Sequence, residues 1–81
     1  MKGITEMRLD MYYTTEGYGL EYWDEDGLHT VATGLAGSAT ALLTAKKWLK
    51  DRGITEATIN GAFGAIWEIK GSACKMYAPC N

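Results

Sequence analysis

Residues that carry chemistry are scarce in this chain. Its 81 positions hold one histidine (His29), two cysteines (Cys74 and Cys80), one proline and one phenylalanine. Closed structural zinc sites draw mostly on cysteine and histidine. Neither the number of these residues nor the spacing of the two cysteines supplies such a set, so no metal and no cofactor are expected. The cysteines read as free thiols or as a disulfide closing a terminal loop, which stabilises modestly because the loop is short. A serine nucleophile needs a base beside it, and His29 has no partner that sequence position can name; it reads as a strand histidine. The run Asp24-Glu25-Asp26-Gly27 lacks the alternating ligands and distant glutamate of an EF-hand loop, so it reads as a turn. The loop Gly34-Leu35-Ala36-Gly37-Ser38-Ala39-Thr40 lacks the lysine of a Walker loop and does not fit the dinucleotide fingerprint. With no catalytic set, the chain is not expected to be an enzyme.

Long hydrophobic runs are missing too. No stretch approaches the ~20 apolar residues of a membrane span. Met1-Lys2-Gly3-Ile4 is followed by Glu6, Arg8 and Asp10, which leaves no apolar segment for a signal peptide. The expectation is a soluble, cytoplasmic protein that does not engage membranes. Repeats and low-complexity segments are likewise missing. The length implies one small domain. A chain of this size buries only about 60% of its unfolded surface, and together with the two-sided apolar character of Ile59, Ala62 and Ile66 this points to a homodimer.

What is present is pattern. The segment from Ser38 to Gly53 has the only clear helical period, with Leu42, Ala45 and Leu49 on one stripe and Ala41 and Trp48 beside it. Ser38 reads as the N-cap and Gly53 as the left-handed residue that ends the helix. Lys46, Lys47, Lys50 and Arg52 crowd its last two turns, where positive charge complements the macrodipole.

Around that helix the chain reads as strand. Residues 4–14 alternate Met7, Leu9, Met11 and Tyr13 with Glu6, Arg8, Asp10 and Tyr12. Turns at Gly17 and Gly27 separate this strand from 18–24 and 28–33. After the helix, residues 54–59 and 62–70 flank Asn60-Gly61, a strong two-residue hairpin signal. That turn would pair Ile59 with Ala62, Ala57 with Gly64 and Thr55 with Ile66. It would leave Ile54, Thr58, Phe63, Ala65, Trp67 and Ile69 as the buried face, with Gly64 at a bulge or close approach. Residues 71–81 form a tail with a possible short edge strand near Cys74 to Tyr77. The expected fold class is α+β, an antiparallel sheet in the order β-β-β-α-β-β with one amphipathic helix packed across one face, in two layers.

Charge is unevenly placed. Residues 1–36 carry −5 and residues 37–81 carry +3, for a net charge of −2. The polar face of the first sheet half combines acids with aromatics. Glu6, Asp10, Tyr12, Glu21 and Trp23, with Asp24 and Asp26 of the turn, therefore form the candidate partner-binding set. Carboxylates in this arrangement would repel phosphate, so direct nucleic-acid binding is not expected. They suit a basic protein surface, including one that normally holds nucleic acid. In size and style the chain is similar to small phage and mobile-element proteins that inhibit host defence, an analogy without a shared motif. The expected function is a non-enzymatic protein-interaction module, an inhibitor in its sharper form. The alternative is a dimer that binds an anionic metabolite or nucleotide through the 34–40 loop and the basic helix end, with Gly34, Gly37, Ser38, Lys46 and Lys50 as ligand-binding residues.

Overall fold

Period-two alternation produces three strands, β1 (Glu6–Thr14), β2 (Gly17–Asp24) and β3 (Gly27–Leu35), in a computed structural model that describes residues 6–61, 64–71 and 73–77. The helix α1 (Ser38–Asp51) follows, then β4 (Glu56–Asn60), β5 (Ile66–Lys70) and β6 (Ala73–Tyr77). All six strands join one sheet in the order β3-β2-β1-β4-β5-β6. The fold is therefore α+β with a helix across one face, as the pattern implies, but the purely antiparallel sheet is corrected. The tail supplies the edge strand expected near Cys74 to Tyr77, as β6, which adds a sixth strand to the order β-β-β-α-β-β, and the sheet is mixed because β1 and β4 run parallel. The reason is the helix. A 14-residue helix returns the chain about 20 Å along the sheet, so β4 sets out in the same direction as β3 and β1.

The inner face is built as the stripe requires. Ala41, Ala45 and Leu49 of α1 are buried against Leu9, Met11, Leu20, Ala57, Ile59 and Ile69, with Leu42 and Trp48 packed at the margin. Fully burying a leucine such as Leu49 stabilises by about 1.5–3 kcal/mol. Gly37, not Ser38, is the N-cap. Its carbonyl already accepts the first helical hydrogen bond, from the Ala41 N–H at 2.9 Å, and no side chain caps the end. Ser38 is thus the first helical residue. The other end follows the expectation. Gly53 has φ +71°, its N–H donates to the Lys50 carbonyl and that of Ile54 to the Leu49 carbonyl. These two bonds make a Schellman motif, which a left-handed glycine permits.

The second sheet half departs from the expected register. Ile59 lies opposite Trp67 and Ala57 opposite Ile69, not opposite Ala62 and Gly64. The offset between the two registers is odd, and a strand has period two, so the residues of β4 change face, while Trp67 and Ile69 of β5 keep the inner face expected of them. Ala57 and Ile59 are buried, the reverse of the expectation, whereas Ile66 is exposed, as expected. Thr58 moves to the outer face with its partner Glu68. Asn60-Gly61 is not the turn. Asn60 ends β4, and the Gly61 N–H bonds to the Ala65 carbonyl at 2.6 Å across a longer loop that contains Gly64 at φ +88°. Ala62 and Phe63 lie outside the described residues.

Candidate interaction face

The alternation that buries Leu9, Met11 and Leu20 sends Arg8, Asp10, Tyr12, Glu21 and Trp23 to the opposite, helix-free side of the sheet. Asp10 of β1 stands directly opposite Glu21 of β2. Like charges in that position repel. Asp10 is also opposite Asn60 of β4, whose amide nitrogen donates to its carboxylate at 3.2 Å. Tyr12 lies opposite Gly19, and its ring occupies the space that a Cβ at position 19 would need. The phenol therefore lies over the β2 backbone at Gly19.

Toward the end of the β2–β3 hairpin the face becomes apolar. Trp23 pairs with Leu28, and the two are 66% and 48% exposed. Trp23 was among the expected residues; Leu28 was not. Its signal was legible, because a two-residue turn at Glu25 and Asp26 that pairs Asp24 with Gly27 also pairs Trp23 with Leu28.

Asp24 belongs to the turn and to the inner side. Its carboxylate accepts from the Asp26 N–H at 2.8 Å and from His29 Nε2 at 2.8 Å. The hydrogen bond from His29 is the main cause that holds Asp24 below the ordinary value of 3.8. His29 in turn stacks on Tyr22 at 4.8 Å, Tyr22 meets Trp48 at 5.4 Å, and the Arg52 guanidinium lies 4.2 Å above the Trp48 ring. A continuous train of side chains thus links the acidic turn to the end of α1. His29 is a strand residue, as the sequence implies, with a structural partner that sequence alone could not identify. Asp26 is exposed in the turn, and Glu6 opens β1 opposite Glu56.

Of the expected partner-binding set, Asp10, Tyr12, Glu21 and Trp23 share the outer face and Asp26 sits in the turn at its edge, whereas Asp24 is drawn to the inner side by its bond to His29. The residues of the alternative ligand site are separated. Gly34 lies within β3, whose register with β2 shifts around Leu20. Gly37 and Ser38 start the helix, whereas Lys46 and Lys50 lie two to three turns further along it. Cys74 is half-buried on β6, and Cys80 lies outside the described residues. Among the described residues no three histidine, cysteine or acidic side chains gather as a metal would need. No helix among them is long and apolar enough to cross a membrane. No family model matches the chain, and no similar protein emerges among curated sequences or solved structures.

Proposed function

We propose that the protein is a non-enzymatic interaction module that docks the outer face of β1–β3 onto a basic protein surface. In its sharper form it is a small inhibitor, of phage or mobile-element type, of a host defence protein whose basic site normally holds nucleic acid. The observation that supports this reading is the exposed Trp23–Leu28 pair beside the carboxylates of Asp10, Glu21 and Asp26. Interfaces place aromatic anchors at their centres, and complementary charge around them speeds encounter and fixes register. The Asp10–Glu21 juxtaposition fits the same reading, since a cationic partner would relieve a repulsion that the isolated domain has to carry. Self-association belongs to the proposal as well. Leu43 on α1 and Met76 on the inner side of β6 are both largely exposed, and a second copy would cover them.

The test is capture from host lysate at low and moderate salt, with wild-type, Glu21→Lys and Trp23→Ala proteins as bait. A basic protein held stoichiometrically by the wild type, released by salt and lost from both variants is the expected result. Equal capture by all three baits would overturn the reading. Sedimentation velocity of the purified chain reads the dimer.

A further inference from the structure

A second feature lies on the other side of the sheet. A cavity of about 600 Å³ opens between the last turns of α1 and the strand ends beyond it, lined by Lys46, Lys47 and Lys50 with Ile54, Thr55 and Gly71. Its size is that of small-molecule sites. Its walls are fixed by main-chain bonds. The Gly71 N–H, in the β5–β6 turn, donates to the Thr55 carbonyl at 2.7 Å, and the Ile54 N–H donates to the Leu49 carbonyl at 2.9 Å. Gly53 and Gly71 both have left-handed backbone, and a Cβ at either would meet nothing within 4 Å, so both leave open space.

The helix dipole does not account for all three lysines. Its effect is confined to the last turn, and Lys50 is the only basic residue there. Lys46 and Lys47 lie further in. Lys46 and Lys50 are spaced i,i+4 and Lys47 and Lys50 i,i+3, so the three ammonium groups repel one another. Among the described residues none of them has a carboxylate partner, and no acid lines the cavity. The neighbouring Arg52, by contrast, is engaged with Trp48. Ile54 and the lysine stems supply apolar surface beside the charges.

We propose that this cavity binds a nucleoside di- or triphosphate, the phosphates held by Lys46, Lys47 and Lys50 and the base laid against Ile54 and the lysine stems. Three cations lining one cavity match a polyphosphate better than a monoanion. The lysine stems and Ile54 favour a ligand with a flat apolar body over inorganic phosphate alone. This site stands apart from the outer face in both position and charge, so its failure and that of the docking proposal are distinguishable.

Isothermal titration with ATP, tripolyphosphate and adenosine tests the assignment, with amide chemical shifts to locate the ligand. The expected result is saturable 1:1 binding of ATP in the micromolar range, about −8 kcal/mol or weaker at low salt. Tripolyphosphate should bind more weakly and adenosine only marginally. Shifts should cluster in residues 46–55 and at Gly71. Lys46→Gln with Lys50→Gln should weaken ATP roughly tenfold or more, since charge-assisted bonds to phosphate are lost, while Arg8→Gln on the outer face leaves it unchanged. Absence of saturable heat, or equal weakening by Arg8→Gln, would overturn the proposal. If the double variant loses its far-ultraviolet circular dichroism, the exposed Lys47→Gln variant gives the same reading.

Discussion

Asp24 and His29 are joined across the β2–β3 hairpin by a 2.8 Å hydrogen bond from His29 Nε2 to Asp24 Oδ1. Both side chains are about two-fifths exposed, so the bond organises the turn more than it stabilises the domain. Its pH dependence has a definite sign. The folded-state pKa of Asp24 is lowered from 3.8, with the His29 bond as the main cause. The contribution is therefore present above 3.8 and lost as pH falls through the folded value. Replacing His29 with alanine should move the Asp24 titration up toward 3.8, read by carboxyl carbon shifts. An Asp24 titration that stays in place in that variant would show that the His29 bond is not its cause.

Gly19 and Tyr12 make a second pair with a measurable consequence. A strand position normally favours valine over glycine, yet a Cβ at Gly19 would overlap the Tyr12 ring. Gly19→Val should therefore push the Tyr12 ring aside and destabilise by about 1 kcal/mol, the low end for overpacked sites, because only the far end of that side chain has to move. Combining it with Tyr12→Ala should recover part of that loss. Urea melts of the two variants decide the matter, and a gain in stability from Gly19→Val alone would refute the packing.

Leu49 anchors the helix to the sheet and is 2% exposed. Leu49→Ala should cost about 2–5 kcal/mol, a large part of the stability that a domain of this length has. Thr40→Ala, at an exposed position of the same helix, should change the urea midpoint little. Similar shifts from the two substitutions would mean that the helix does not bury the 41/45/49 face.

Glu21 faces Asp10 across the β1–β2 pair. Glu21→Gln removes the repulsion, and a gain of a few tenths of a kcal/mol, about the scale of cross-strand pairs, is expected at low salt. The gain should shrink as salt rises, because screening already weakens the wild-type repulsion. The same variant should capture less of a basic partner. A variant that is both less stable and equally competent would argue against a functional reason for the acid pair.

Local sequence made much of the first sheet half legible. Alternation from Met7 to Tyr13 placed Leu9 and Met11 inside and Asp10 and Tyr12 outside, and the turns at Gly17 and Gly27 carried that assignment into β2 and β3. The helix stripe through Ala45 and Leu49 was equally readable, as was the end at Gly53, though the stripe's centre falls on Ala41 rather than Leu42. Ser38 misled because a serine before a helical run suits the N-cap, whereas Gly37 already accepts the first helical bond. The hairpin after the helix misled more deeply. Asn60-Gly61 has turn chemistry, but Asn60 is held in β4, with its amide on Asp10, fifty positions earlier in the chain.

The amino-acid order by itself determined which residues could share a face, because side-chain periodicity is a local property of strands and helices. It also determined the uneven charge. Only the tertiary structure decided that β4 lies parallel to β1, that Ala57 and Ile59 turn inward, and that Lys46, Lys47 and Lys50 meet Gly71 around one cavity. Those outcomes depend on pairing between distant segments, where one residue of register reverses a face and a helix crossing sets a strand's direction. Burial of the shared core selects among the arrangements that local pattern leaves open.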